Sequence, residues 1–181
     1  MPSWSKIARR IRVPLGFAFA VLYVWLAKPS VLSILLGLVL VIPGLAIRAL
    51  ASGHVRKNEQ LTTSGPYAYT RNPLYLGSLI LALGFVVASR SWWIAGFMLL
   101  MFLAIYIPVI KSEEDYLRGK FSEFDEYARM VPRLIPRIKA PSDGGVSFSK
   151  ELYLKHREYN ALLGALAVTA FLVGKLLWIS K

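Results

Sequence analysis

Cysteine is absent from this 181-residue chain, which rules out disulfides, thiolate zinc sites and cysteine nucleophiles. Histidine is nearly as scarce. His54 and His156 are the only two, far apart and without carboxylates at ligand spacing, so no metal site is expected. Acidic residues number only 10 against 22 Lys and Arg. In a soluble protein a net charge of +12 would point to nucleic acid. Here the acidic residues keep out of the apolar runs altogether, and the basic residues gather between them, which argues against a nucleic-acid partner.

What the chain has in quantity is apolar sequence: 56% of its residues are hydrophobic, and its mean hydropathy is +0.51. These residues come in long runs of the kind that form helices in lipid. The spans read at about 14–27, 31–50, 73–89, 92–110 and 160–179. Arg48 and Lys175 are expected to extend two of them by snorkelling. The fold class predicted is an all-α integral membrane helical bundle with about five transmembrane helices. Residues 1–181 then form a single integral domain.

Lys6, Arg9, Arg10 and Arg12 before the first run also fit a secretory leader. Lys28-Pro29-Ser30 and a second span follow, with no small-residue cleavage site, so a retained signal-anchor helix is the expectation. With the N-terminus inside, segments 1–13, 48–73 and 111–159 carry eighteen of the 22 basic residues and all 10 acidic ones. That positive-inside bias predicts a multi-pass protein with a cytosolic N-terminus and an outside C-terminus, as in a bacterial inner membrane. Some of the basic excess would hold the inner segments against anionic membrane lipids.

Lys28–Ser30 and Arg90–Ser91 are short enough to join antiparallel helix pairs. Pro43-Gly44 is expected to kink the second span. Ser52-Gly53 and Ser64-Gly65-Pro66 read as turns, and Asn72-Pro73 as an N-cap followed by a first helical residue. Ser112-x-x-Asp115 and Ser122-x-x-Asp125 look like caps of short cytosolic interfacial helices, with Gly119 as a stop between them. Residues 131–136 should run extended, Ala140–Gly145 should be a loop, and Ser149–Tyr159 an amphipathic lead-in to the last span.

Segments 52–72 and 111–159 thus bring polar groups to one membrane face. Glu113 and Glu114, near Tyr67, Tyr69 and Tyr75, can hold an ammonium or sulfonium, and each aromatic face adds about 0.5–2 kcal/mol. The start of the third span, with Arg71 beside it, favours an anion. A zwitterion carrying a carboxylate and a sulfonium fits that pairing, while the residues alone leave the ligand open. The bland reading of the acidic pair is the first turn of a capped helix.

Gly65-Pro66-Tyr67, then Arg71-Asn72-Pro73-Leu74-Tyr75-x-Gly77, Glu113-Glu114, Phe121, Tyr127 and Val131-Pro132-Arg133, resembles the isoprenylcysteine carboxyl methyltransferase family. Phospholipid methyltransferases are similar to it at both ends of the pattern. The resemblance implies an S-adenosylmethionine pocket at the cytosolic ends of the third and fourth spans, roofed by the C-terminal segment. It implies cofactor contacts from Gln60, Leu61, Thr62, Tyr67, Asn72, Pro73, Leu74, Tyr75, Glu113 and Glu114, with Lys57 a weaker candidate. Glu113 and Tyr67 would place the cofactor. Arg133 would orient a carboxylate or phosphate, or serve as an interface anchor.

Two positions depart from the family. Asn72 stands where a histidine is usual, which removes any titrating role there. Val109 falls near the place of a substrate-binding arginine, which leaves the acceptor open. The function expected is methyl transfer to a lipid-like or hydrophobic small-molecule substrate, with no protein partner. The alternatives are an NADPH-dependent membrane reductase related to sterol reductases, or a non-enzymatic transporter or assembly factor. Transporters usually place ionisable groups at mid-membrane, and these spans carry no acidic residue.

Overall fold

The computed structural model of the chain describes residues 4–57, 59–139 and 147–179. Among them every regular element is helical, and the chain folds as an all-α membrane bundle. The helices are α1 (Trp4–Leu26), α2 (Val31–His54), α3 (Pro73–Ser89), α4 (Trp92–Met101), α5 (Ile107–Lys120), α6 (Phe124–Met130), α7 (Lys150–Lys155) and α8 (Tyr159–Ile179). A 3-10 turn (Gly65–Ala68) precedes α3. Three helical stretches are long and apolar enough to cross a membrane: Val31–His54, Trp92–Lys120 and Tyr159–Trp178. Pro14–Leu26 and Pro73–Ser89 are shorter apolar helices.

α2 and α3 make the tightest pair because glycines line their seam. A Cβ on Gly37 would meet the Gly84 carbonyl at 2.6 Å, and one on Gly44 would meet the Leu81 amide at 2.7 Å and the Gly77 carbonyl at 2.9 Å. Lipid tails are as apolar as leucine, so helices in a membrane gain most from such backbone approach. Gly37 faces Gly84 and Gly44 faces Gly77, which makes the pair antiparallel. Ser30 starts α2 with a reciprocal capping box to Ser33, whose hydroxyl also donates to the Ala88 carbonyl. Tyr23, Ile34, Ala88, Ile94 and Leu172 pack together at this end of the bundle.

Trp25, Trp92, Trp93 and Trp178 stand exposed at the same end, as an aromatic belt at a membrane–water interface does. Beside this belt Lys175 Nζ donates to the carbonyls of Val24 and Trp25 at 2.6 and 3.3 Å, capping the last turn of α1. Arg48, expected to snorkel, is paired instead. It is held between helices by Ser78 and Glu158.

Four other expectations are corrected. α2 passes through Ser52-Gly53 without a turn, because the Phe148 ring covers Gly53 and His156 Nδ1 meets the Ser52 carbonyl at 3.0 Å. Ser112 lies inside a helix and not at its start: α4, a π turn at Phe102–Tyr106 and α5 form one rod from Trp92 to Lys120. Pro108 has no N–H for the Ala104 carbonyl, and the Trp4 indole N–H bonds that carbonyl at 2.9 Å instead. Gly119 does not stop the rod, which ends with Arg118 and Lys120 in its last turn, the favourable sign for that helix end. Ser122 is not the cap of α6 either. Glu123 holds the N-cap position, and the Ser122 hydroxyl donates to the Glu123 carboxylate. Pro43 lies inside α2. The loop expected at 140–145 lies outside the described residues.

Candidate functional site

At the end of the bundle opposite the tryptophans, the mouth of α3 is built as the sequence suggested, with one difference. Asn72 takes the N-cap position and Pro73 the first helical one, but the Asn72 side chain makes no cap bond. Its amide donates to Glu114 Oε1 and to the Arg133 carbonyl, both at 3.0 Å.

Glu114 is the hub of this region. It is 3% exposed and accepts Arg71 Nε at 3.2 Å and Nη2 at 3.3 Å, with Arg133 Nε on Oε2 at 2.9 Å. Buried carboxylates persist only when paired and hydrogen-bonded, and here three side chains meet one carboxylate.

The strand-like segment after α6 is laced onto the 65–72 turn and roofs it. The Arg71 amide donates to the Pro132 carbonyl at 2.9 Å, and the Arg137 amide to the Tyr69 carbonyl at 3.0 Å. The Thr70 hydroxyl donates to the carbonyls of Arg133 and Leu134, and the Tyr127 hydroxyl to the Tyr67 carbonyl at 2.8 Å. Gly65 turns the chain with φ 56°, against the His54 ring, where a side chain would collide. Burial pushes the phenols of Tyr67 and Tyr127 well above their usual range, so both stay protonated through neutral pH.

Beside the 65–72 turn, between it, α2, α3 and α5, lies a cavity of about 540 Å³, within the roughly 300–1,000 Å³ typical of small-molecule sites. Of the sequence-selected residues, Lys57, Gln60, Leu61, Thr62, Tyr67, Arg71, Asn72, Leu74, Tyr75, Glu113 and Glu114 line it. Glu113 accepts the Tyr75 hydroxyl at 2.9 Å, and the Tyr75 ring meets Tyr106 edge to face. Pro73 is fully buried and does not line the cavity, and Tyr69 turns outward, 39% exposed. Arg133 does not line it either. It reaches Glu114 from outside, with its side chain 45% exposed.

Sequence reasoning missed the other side of the cavity: Arg48, Ser52, Arg56, Ser78, His156 and Glu158, with Leu117 and Phe124 as apolar wall. One signal was available, since Arg48 is the sole charge within the second apolar run. Nothing in the sequence pairs it with Glu158, 110 residues away. Among the described residues, no group of three or more His, Asp or Glu comes together to hold a metal ion.

A membrane helix bundle with a cavity of charged and aromatic side chains at its helix mouths defines a class, and the comparisons with known proteins give it a family. The model of the phospholipid methyltransferase family matches residues 15–123, and the chain belongs to that family. It is 41% identical over 83 residues to the cobalt-zinc-cadmium resistance protein CzcN of Cupriavidus metallidurans, covering 46% of this chain and 38% of that one. It is 39% identical over 83 residues to the nickel-cobalt-cadmium resistance protein NccN of Alcaligenes xylosoxydans xylosoxydans, covering 46% and 39%. To the protein-S-isoprenylcysteine O-methyltransferase of Schizosaccharomyces pombe it is 34% identical over 83 residues, covering 45% and 35%. The matches thus span less than two fifths of each relative's length. No solved structure matches.

Proposed function

We propose that this chain is an S-adenosylmethionine-dependent methyltransferase acting on a hydrophobic or lipid-like acceptor at the cytosolic membrane face. The observation that carries the reading is the cavity itself. It joins residues from three separate stretches (60–62, 67–75 and 113–114) that the sequence had singled out for one ligand.

The donor set suits that cofactor. The Glu113 carboxylate lies with Tyr67 and Tyr75 in a setting that favours a sulfonium or ammonium. Arg56 and Lys57 offer cations for a carboxylate, and Leu61, Leu74, Leu117 and Phe124 supply apolar wall. When bound, the cofactor would supply an already activated methyl group. The chain's own work is then placement and exclusion of water, and alignment of reactants is itself worth several kcal/mol, up to about 7–11. A carboxylate acceptor arrives ionised and needs no base, whereas an amine must first lose a proton. The roof over Tyr67 and the Glu114 cluster would hold the mouth rigid while Glu113 and Tyr67 meet the ligand. Family membership supports methyl transfer, and the basic bias of the segments around the cavity supports a cytosolic face.

The test is equilibrium binding of labelled S-adenosylmethionine to the purified full chain, with NADPH as competitor. The parent should bind the methyl donor and ignore NADPH. Tyr67→Ala and Glu113→Ala should each weaken binding by roughly tenfold, the equivalent of about 1.4 kcal/mol. Binding of NADPH in place of the methyl donor would favour the reductase alternative, and parent-like binding by both variants would place the site elsewhere. Incubation with methyl-labelled donor and a membrane lipid extract then identifies the acceptor.

A further inference from the structure

Tyr106 and Glu113 belong to the same rod, Trp92 to Lys120, and are separated by two helical turns. That spacing returns them to within about 20° of one face, with about 10 Å of rise between them. Tyr75 of α3 bridges the two. Its ring meets the Tyr106 ring edge to face, with centroids 6.1 Å apart and planes at 82°, an arrangement that aromatic pairs prefer. Its hydroxyl donates to Glu113 Oε1 at 2.9 Å. Tyr75 and Glu113 line the cavity, whereas Tyr106, half-buried, does not.

One irregular turn makes the bridge possible. Phe102–Tyr106 is a π turn, which takes in one residue more than an α turn and recurs at functional sites. Without it, everything beyond would swing by about 100° relative to α4, carrying Tyr106 and Glu113 away from Tyr75 together. The turn is held from outside the cavity. The Trp4 indole N–H donates to the Ala104 carbonyl within it at 2.9 Å. Ala8, Ile105 and Val109 form a buried cluster at its flank, with Tyr75 and Tyr106 packed on them. The Phe102 ring stacks on Tyr106 at 6.4 Å.

Resting on the methyltransferase reading for the ligand, we infer that Tyr106 is a positioning residue that sets the site's preference for the charged methyl donor. It fixes the Tyr75 ring, and Tyr75 fixes the Glu113 carboxylate. The carboxylate so placed selects the sulfonium of the donor over the neutral thioether left after transfer. Coulomb attraction acts on the charged sulfur alone and falls with distance, so the selection depends on where Glu113 points. Contacts to the rest of the ligand are common to donor and product and do not distinguish them.

The experiment measures equilibrium binding of S-adenosylmethionine and S-adenosylhomocysteine to the full chain in neutral detergent, and reads the ratio of the two affinities. Partial unfolding weakens both ligands alike and leaves the ratio unchanged. The parent should favour the sulfonium by at least about tenfold. Tyr75→Phe and Tyr106→Ala should each lose most of that preference. Tyr106→Phe should keep it, because the ring and not the hydroxyl makes the contact. A parent-like ratio in Tyr106→Ala, as a merely structural role predicts, overturns the proposal. So does a Tyr106→Phe ratio as low as that of Tyr106→Ala, or a parent indifferent to the charge on sulfur. If Tyr106→Ala fails to fold, Tyr106→Leu fills the space without a ring and carries the same expectation. Should the parent bind neither adenosyl ligand, the methyltransferase reading fails. Trimethylsulfonium against dimethyl sulfide, titrated into the same variants by NMR, then judges the positioning role by the same comparison.

Discussion

Glu113 and Glu114 are neighbours in sequence with different work to do, because successive residues on a helix point about 100° apart. Glu113 faces the cavity and takes one phenol, leaving carboxylate capacity for a ligand. Glu114 turns toward the α3 mouth, where Arg71, Asn72 and Arg133 use its oxygens. Glu114→Ala strands Arg71, whose side chain is only 12% exposed, without its counter-ion. Removing one partner of a buried pair costs about 3–5 kcal/mol, so this variant should melt far below the parent. Arg133→Ala removes a half-exposed partner and leaves the Arg71–Glu114 pair intact, for a loss of no more than about 1 kcal/mol. Thermal unfolding in detergent measures both. Equal melts for the two variants would show that Glu114 is not the hub.

At the scale of elements, the seam between α2 and α3 carries the bundle, and its glycines are not interchangeable with the others. Gly84→Ala drives a methyl to within 2.6 Å of the Gly37 carbonyl and 2.9 Å of the Val41 amide, both backbone atoms that cannot swing aside. The expected cost is about 1–3 kcal/mol, as for overpacking in a close-packed core. Gly164→Ala meets nothing within 4 Å and lies inside α8. It should be neutral or stabilise by up to about 1 kcal/mol, since alanine is the better helix former. Matched melting curves decide, and a Gly84→Ala protein as stable as the parent would remove the seam from its central place. The helix start at Asn72-Pro73 was legible because the fixed φ and missing N–H of Pro73 suit a first helical residue, although Asn72 spends its amide on Glu114 and not on the cap. The continuity from Trp92 to Lys120 was not. Ser112, Gly119 and Asp115 imitate a stop and a start, but the helix that runs through them carries Glu113 to Tyr75 and Glu114 to Asn72 and Arg71, contacts far apart in the chain.

For the molecule as a whole, the same division separates what sequence shows from what folding adds. While Gln60, Leu61 and Thr62 came from the family resemblance alone, Tyr67, Arg71, Tyr75 and Glu113 were visible as one constellation because alternating apolar spans return every helix mouth to one of two faces. Arg48 and Glu158 were not, since an ion pair between the second and last helices depends on how the bundle closes. Which face is cytosolic rests on charge: segments 1–13, 48–73 and 111–159 hold eighteen of the 22 Lys and Arg. The absence of cysteine makes that orientation directly measurable. Lys150→Cys, at the exposed start of α7, and Lys28→Cys, in the exposed turn before α2, each introduce a single thiol. Neither charge removed is enough to reverse an eighteen-to-four bias. An impermeant maleimide should label Lys28→Cys in right-side-out vesicles and Lys150→Cys only after inversion. The reversed pattern would put the cavity on the outer face, away from any cytosolic supply of methyl donor, and would overturn the proposed reaction along with the orientation.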